Sequence, residues 1–482
     1  VYRAEILSAT PMIALARRGD GSVSWSVRGM RATRVRIWSL WACALLGAAP
    51  VVPARAGGFG IPEIGVRRTA MGAIIGRPDD ASAIYHNPAG LVLEHGWQLY
   101  VSLGLSLLDI RLQLAPWDQS DRLLGASPEA DGYYAAVRPS RALGVIPMLA
   151  ATAEILPDRL VLGAAVYVGN ATGAAFADSA VTRYHLIDAY VVAPQAVVAA
   201  AYQVSETISV GASAGVIDVR IHEERDVFPI LAIGGALTDI TAFTGTRPRL
   251  VLDGSGWAPT WMLGVFGRPH PRVSWGATLT GRVDVDASGP ITVTCSDGAS
   301  CLTTGTNRAG DHQQVGTQTT GQLLPWAVMA GGNVDVTPNV ELGGELRYWL
   351  YRQYKQQVTT IDGIVLITEL RSDKDYHDSW ETSGGVRVHD LAAAPGLELM
   401  AGTQYDHSPA PSRTVTLDQP SFSHWALHSG VRYQLGRYRI GASYVHYWYD
   451  VPTITDSITA PPSNVRGSGG NHIITGSLEV AL

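Results

Sequence analysis

The sequence predicts an all-β fold, an antiparallel β-barrel that spans a membrane. Three observations predict it. Stretches of about nine to twelve residues alternate apolar and polar side chains, the length of a tilted membrane-crossing strand. Within them the charged residues share one face, as a wet lumen requires. Aromatics gather near strand ends, in RYWLYRQY at 347–354 and HYWYD at 446–450, as at a membrane interface. Tight polar turns (VSET at 204–207, DVTPN at 335–339, LGR at 435–437) alternate with long Gly/Thr/Ser-rich segments such as 288–323. Soluble sandwiches and propellers also alternate, with the apolar face inside. The one-sided charge, the aromatic belts and an export signal weigh against them.

The elements follow in chain order. Met30 is followed by Arg31, Arg34 and Arg36, an apolar stretch from Ile37 to Val52, and Ala54-Arg55-Ala56. Positive, apolar, small-x-small is the order of a secretory signal. Cleavage is expected after Ala56, with 30–56 as signal peptide and 1–29 as a non-native upstream extension. Leu40 to Cys43 resembles a lipoprotein box, but too little apolar chain precedes Cys43. Residues 1–56 hold eight Arg and two acids, so their removal takes the net charge from −6 to −12. Lys355 and Lys374 are the only lysines. An acidic exported chain makes a poor nucleic-acid binder, because phosphate contacts need clustered Lys and Arg.

Residues 57–96 do not alternate. This Gly/Ala-rich stretch contains DDASAIYHNPAG from Asp79 to Gly90. Asp80 is expected to cap a short helix through Ala81–Tyr85. Asn87-Pro88 opens a turn, and Gly90 tolerates positive φ. The stretch is too short for a domain, and a plug inside the barrel suits it.

From Trp97 the strands begin. In WQLYVSLGLSLLDIRLQL, Trp97, Leu99, Val101, Leu103, Leu105 and Leu107 share one face. The apolar phase then slips by one, to Leu108, Ile110, Leu112 and Leu114, which predicts a β-bulge. In VELGGELRYWLY, Val340, Leu342, Leu346 and Tyr348 oppose Glu341, Glu345 and Arg347. Those three are expected to form a lumen network or simply a solvated wall. LELMAGTQY, HWALHSGVRYQL and RYRIGASYVHYW alternate in the same way, and HIITGSLEVAL supplies a last strand at the C-terminus. Cys295 and Cys301, in the loop sequence TCSDGASCL, form an even pair in an exported chain and predict a loop disulfide. A zinc site wants more ligands. The scattered His185, His270, His312 and His472 show no metal spacing, so no metal and no cofactor is expected.

The chain resembles the FadL-type outer-membrane transporters of long-chain fatty acids and other hydrophobic compounds. The resemblance rests on Gly58-Phe59, Glu63, Asp79-Asp80-Ala81-Ser82 and Asn87-Pro88-Ala89-Gly90-Leu91. It continues through GVIPMLAATAEI, DRLVLGAAVYV, SGWAPTWMLGVF, LPWAVMAGG, YHDSWETSGG and AGTQYDHSPAP. It implies a monomeric barrel of ~14 antiparallel strands at 97–482, plugged by a hatch at 57–96. It also implies a hydrophobic ligand, fatty acid or hydrocarbon, that is captured from outside and released sideways into the bilayer. Phe59 is implied as an apolar gate. Glu63, Asp79, Asp80, Asn87, Pro88 and Ala89 are implied to hold the hatch together. The implied surroundings are outer-membrane lipid and lipopolysaccharide in a Gram-negative bacterium. The chain departs from the pattern at Leu482, where such barrels usually end in an aromatic.

Other readings are weaker. YDHSP (Asp406, His407, Ser408) and YHDSW (His377, Asp378, Ser379) bring triad residue types together, but neighbours on an extended chain point to opposite sides. His424 and His428 share a face and suit a lumen polar pair better than a hydrolase. A general porin predicts an open lumen, and 57–96 argues against it. A surface receptor or adhesin would use the same long loops. The expected function is passive, non-enzymatic uptake of hydrophobic compounds, with apolar transfer of ~25 cal/mol per Å² supplying affinity.

Overall fold

A computed structural model describes residues 60–140, 142–228, 247–295, 312–364 and 367–482. The strands, in chain order, are β1 (Trp97–Leu114), β2 (Leu143–Leu156), β3 (Leu160–Ala175), β4 (Asp188–Ser205), β5 (Ile208–Asp226) and β6 (Arg249–His270). Then come β7 (Val273–Thr280), β8 (Val283–Thr294), β9 (Gln313–Leu324), β10 (Ala327–Thr337), β11 (Val340–Trp349) and β12 (Gln356–Asp362). The last are β13 (Glu369–Asp373), β14 (Ser379–Val388), β15 (Leu397–His407), β16 (His424–Leu435), β17 (Tyr438–Tyr449) and β18 (Val465–Ala481).

These 18 segments form one sheet, and β1 pairs with both β2 and β18, so the sheet closes. Four wall strands are each broken once. β7 and β8 both follow β6, and the next wall strand pairs with them through β10 and β9. The halves β11 and β12, then β13 and β14, continue the pattern. Joining each pair of halves leaves a closed antiparallel barrel of 14 strands. Closure satisfies every edge, which a barrel in lipid requires. Connections at one end are short (157–159, 206–207, 271–272, 338–339, 436–437). Those at the other are long (115–142, 176–187, 450–464). Among the described residues no helix is long and apolar enough to cross a membrane.

The predicted bulge in β1 is absent. Its register with β18 runs unbroken from Gln98↔Ala481 to Leu114↔Val465. Leu99 to Leu107 point out and are exposed, while Leu108, Ile110, Leu112 and Leu114 point in and are buried. Asp109 and Arg111 keep the outward positions. The apolar phase therefore changes sides where the strand leaves lipid: below that level the outside is apolar, above it the inside is. The strand itself does not slip. Elsewhere the alternation reads directly. Leu342, Leu346, Leu427, Ile440 and Leu478 face out, while Glu341, Glu345, Arg347, His428 and Arg432 face in and are buried.

Candidate functional site

The segment from Gly60 to Glu94 crosses between opposite walls. Its first helix, Val66–Met71, packs on β14–β18, and its 3-10 helix, Pro88–Leu93, packs on β3–β6. Glycine opens the way. Gly65 and Gly72 bracket the first helix at φ of 82° and 76°, a left-handed backbone that side chains disfavour. On the walls, Gly385 and Gly402 leave room for the Met71 carbonyl, and Gly211, Gly264 and Gly276 leave room for Asn87 to Ala89. A Cβ at any of these wall positions would collide with the segment's backbone or with the Asn87 amide.

Asn87 works as a two-way clamp. Its Nδ2 donates to the carbonyls of Ile75 (3.2 Å) and Val265 (3.1 Å), and its Oδ1 accepts from Ala89 N (3.2 Å). Pro88 takes the first position of the 3-10 helix, where a missing N–H is harmless. The Ala89 carbonyl accepts from Ser209 Oγ at 2.9 Å. Asp80 does not cap the helix over the expected span. The helix runs Ala83–His86, and Asp80 Oδ1 instead accepts from Ser82 N at 2.9 Å in the turn before it. A carboxylate this close folds the Asx-type turn in preference to an N-cap.

The other side is ionic and lies toward the short-turn end. Arg67 Nη2 reaches Glu341 Oε1 at 2.5 Å, and Arg77 Nη1 reaches Asp335 (2.8 Å) and Glu341 (3.0 Å). Asp79 Oδ2 sits 2.9 Å from Arg432 and 3.0 Å from Arg387. Arg68 pairs with Glu381. Glu345 accepts from the backbone N–H groups of Ile74 (2.7 Å) and Ile75 (3.0 Å), while its other oxygen takes Arg347 Nε at 2.8 Å. Buried charges are tolerated only when paired and hydrogen-bonded, and here segment and wall complete each other. Burial would push the Asp79 carboxyl up, but Arg432, Arg67 and Arg387 hold it well below the usual carboxylate range. His86 Nε2 donates to the Ile64 carbonyl at 2.7 Å, leaving Nδ1 to accept from Arg347 Nη2 at 3.4 Å. Burial and the Arg347 charge bring His86 down to about 3. Glu63 is held more loosely: it is buried, its nearest cation is Arg68 at 3.9 Å, and burial raises it.

A cavity of about 90 Å³ lies between this segment and the wall. Gly60, Pro62 and Tyr85 line it from the segment, and Tyr167, Gln195 and Trp349 from the barrel. It reaches the strand breaks at Gly281 and Pro325. Here the ladder between β6 and its neighbour skips Gly256–Thr260: β8 pairing begins at Ser255, β7 pairing ends at Met262, and beyond it the Trp261 carbonyl accepts from Gly281 N at 3.2 Å. Pro325 has no N–H to donate. The seam is filled by rings: Trp261 and Trp326 meet edge to face at 5.5 Å. Their outward-side positions in the sequence gave no sign of this, since outward tryptophans read as belt residues.

The remaining expectations fall as follows. Phe59 and Cys301 lie outside the described residues, as do 1–56; Cys295 is disulfide-bonded. His424 bonds the Phe422 carbonyl (3.2 Å) and His428 the Thr69 carbonyl (3.0 Å). Ser408 Oγ donates to the Ser421 carbonyl at 2.9 Å, and Asp378 accepts from Arg352 N at 2.9 Å, so neither tripeptide forms a triad. Two acid-histidine groups, His95–Glu154–Asp158 and Asp335–Glu341–His389, have carboxylates already engaged, by Gly96 and Asp158 N–H groups and by Arg77. Arg387, Glu381 and Glu398 complete the ionic network and were missed, although each stands at an inward strand position that the alternation marks.

Solved structures share this fold. A Pseudomonas aeruginosa FadL homologue matches with a TM-score of 0.72 at 13% identity, over 88% of this chain and 99% of its own. The Pseudomonas putida toluene transporter TodX matches at 0.65 and 15%, over 88% and 99%. The Ralstonia pickettii toluene transporter TbuX matches at 0.60 and 15%, over 88% and 98%. No curated protein matches by sequence. The family model for outer membrane transport proteins of the OMPP1/FadL/TodX type matches residues 48–464, and the chain belongs to that family.

Proposed function

We propose that this chain is a passive channel for hydrophobic compounds in the outer membrane of a Gram-negative bacterium. The Gly60–Glu94 segment acts as its hatch, and the ligand leaves sideways into the bilayer. The observation that carries the reading is the cavity's position: it is bounded by the segment on one side and by an interrupted wall on the other. A ligand seated there touches both the element that blocks the lumen and a seam that backbone pairing does not close. An unplugged barrel of this width leaks water, so a hatch clamped by buried ion pairs serves the cell. Phe59 precedes Gly60, which lines the cavity, and is the apolar gate in this reading. The barrel works as a monomer among lipid and lipopolysaccharide, without an energy source.

Uptake of toluene and of laurate into proteoliposomes tests this. The expected result is saturable entry of at least one, weakened by Phe59→Ala, with a polar solute such as glucose excluded. Free passage of glucose would replace the reading with a porin.

A further inference from the structure

We propose that the cavity selects a compact, uncharged aromatic bearing a hydroxyl group, a phenol-type molecule, over a fatty acid or a bare hydrocarbon. The inference rests on the transport reading above and narrows its substrate class.

Size comes first. A cavity of about 90 Å³ is somewhat smaller than the ~150 Å³ engineered cavity that takes benzene. One ring fits after small shifts of Met262 and Met329, which line it and whose unbranched thioethers repack easily. A long acyl chain would have to extend beyond it. The walls also suit a ring. Trp349 and Trp261 present aromatic surface, and Tyr85 stands edge-on to Tyr167 at 5.1 Å. Aromatic pairs gain beyond their buried area.

Charge comes second. The one cation on the lining, Arg347, is already engaged by Glu345 at 2.8 Å and Glu381 at 3.6 Å. A carboxylate entering there meets two acids and loses its hydration without gaining a free partner. Polarity comes third. Asn170, Gln195, Ser213, Thr260 and Thr280 line the same space. Tyr167 donates to Gln195 (3.2 Å), and Gln195 donates to Asn170 (3.2 Å). The Thr280 hydroxyl is buried with no partner. A hydrocarbon takes water from these side chains and leaves the Thr280 hydroxyl unpaired, which is the larger penalty. A hydroxyl donates and accepts at once, so it can answer both an amide and a threonine.

The test is an isosteric series on the refolded full barrel: p-cresol, toluene, 4-methylbenzoate and laurate, read by tryptophan fluorescence. We expect p-cresol to bind at least ~10-fold tighter than toluene or 4-methylbenzoate, since sites built to bond a hydroxyl reject analogues lacking it. Thr280→Val and Gln195→Leu should each shrink the ratio of p-cresol to toluene affinity; heat-modifiable migration on gels checks that each barrel is folded. Tighter binding of toluene or laurate than of p-cresol overturns the inference and leaves the transport reading standing. Binding of none of the four overturns both.

Discussion

At the scale of single residues, the buried carboxylates between segment and wall differ in how closely cations approach them. Glu341 accepts Arg67, Arg77 and Arg387 at once. Glu341→Gln takes one charged partner from three guanidinium groups, and removing one member of a buried pair costs about 3–5 kcal/mol. Hydrogen exchange should report that loss as faster exchange of residues 66–94. Glu63→Gln should change exchange less, because Arg68 approaches Glu63 only to 3.9 Å and burial favours its neutral form. His86 supplies a pH dependence. Docked, burial and Arg347 keep it neutral down to about 3; released, it titrates near its ordinary ~6.5. Between those values the released segment binds a proton that the docked one refuses. Docking therefore weakens as pH falls below ~6.5, by at most about tenfold per unit. Asp79 adds to the loss below its ordinary ~3.8, since its lowered value stabilises the docked form only while the carboxylate is charged. In His86→Gln, the protection of 66–94, exchange rate divided by its intrinsic value at each pH, should lose most of its slope between pH 6 and 4.

At the scale of elements, the interrupted strands are the sensitive part. Backbone pairing seals most of the wall, but Trp261 and Trp326 fill the seam beside Gly281 and Pro325. Trp326→Ala should raise ion leak through planar bilayers while leaving strand content unchanged by circular dichroism. Trp326→Phe should restore the seal. Strand positions were legible in the sequence wherever one level of the barrel was read at a time. Along most of β11 and β16 the large apolar residues, Leu342, Leu346, Trp425 and Leu427, face out, and only toward one end do Trp349 and Ala426 turn in. β1 passes out of the lipid zone, and its apolar residues change sides without any change of register. Periodicity alone cannot tell a change of solvent from a bulge; the outward Asp109 and Arg111 carried the distinction.

For the whole molecule, a closed barrel around an ionically clamped segment was legible in part. The non-alternating, glycine-rich run before Trp97 marked a separate element, and inward charges marked the wall that holds it. The pairing partners were not legible, because Arg67–Glu341 and Asp79–Arg432 join residues hundreds of positions apart. Nor was the cavity, which reaches the breaks at Gly281 and Pro325 in strands whose halves look like ordinary short strands. The central claim is that the segment seals the barrel. The most direct measurement is ion conductance in planar bilayers for the intact barrel and for a barrel lacking residues 60–94. The account predicts a silent intact barrel and a large, steady conductance in the deletion. Steady conductance by the intact barrel would contradict it.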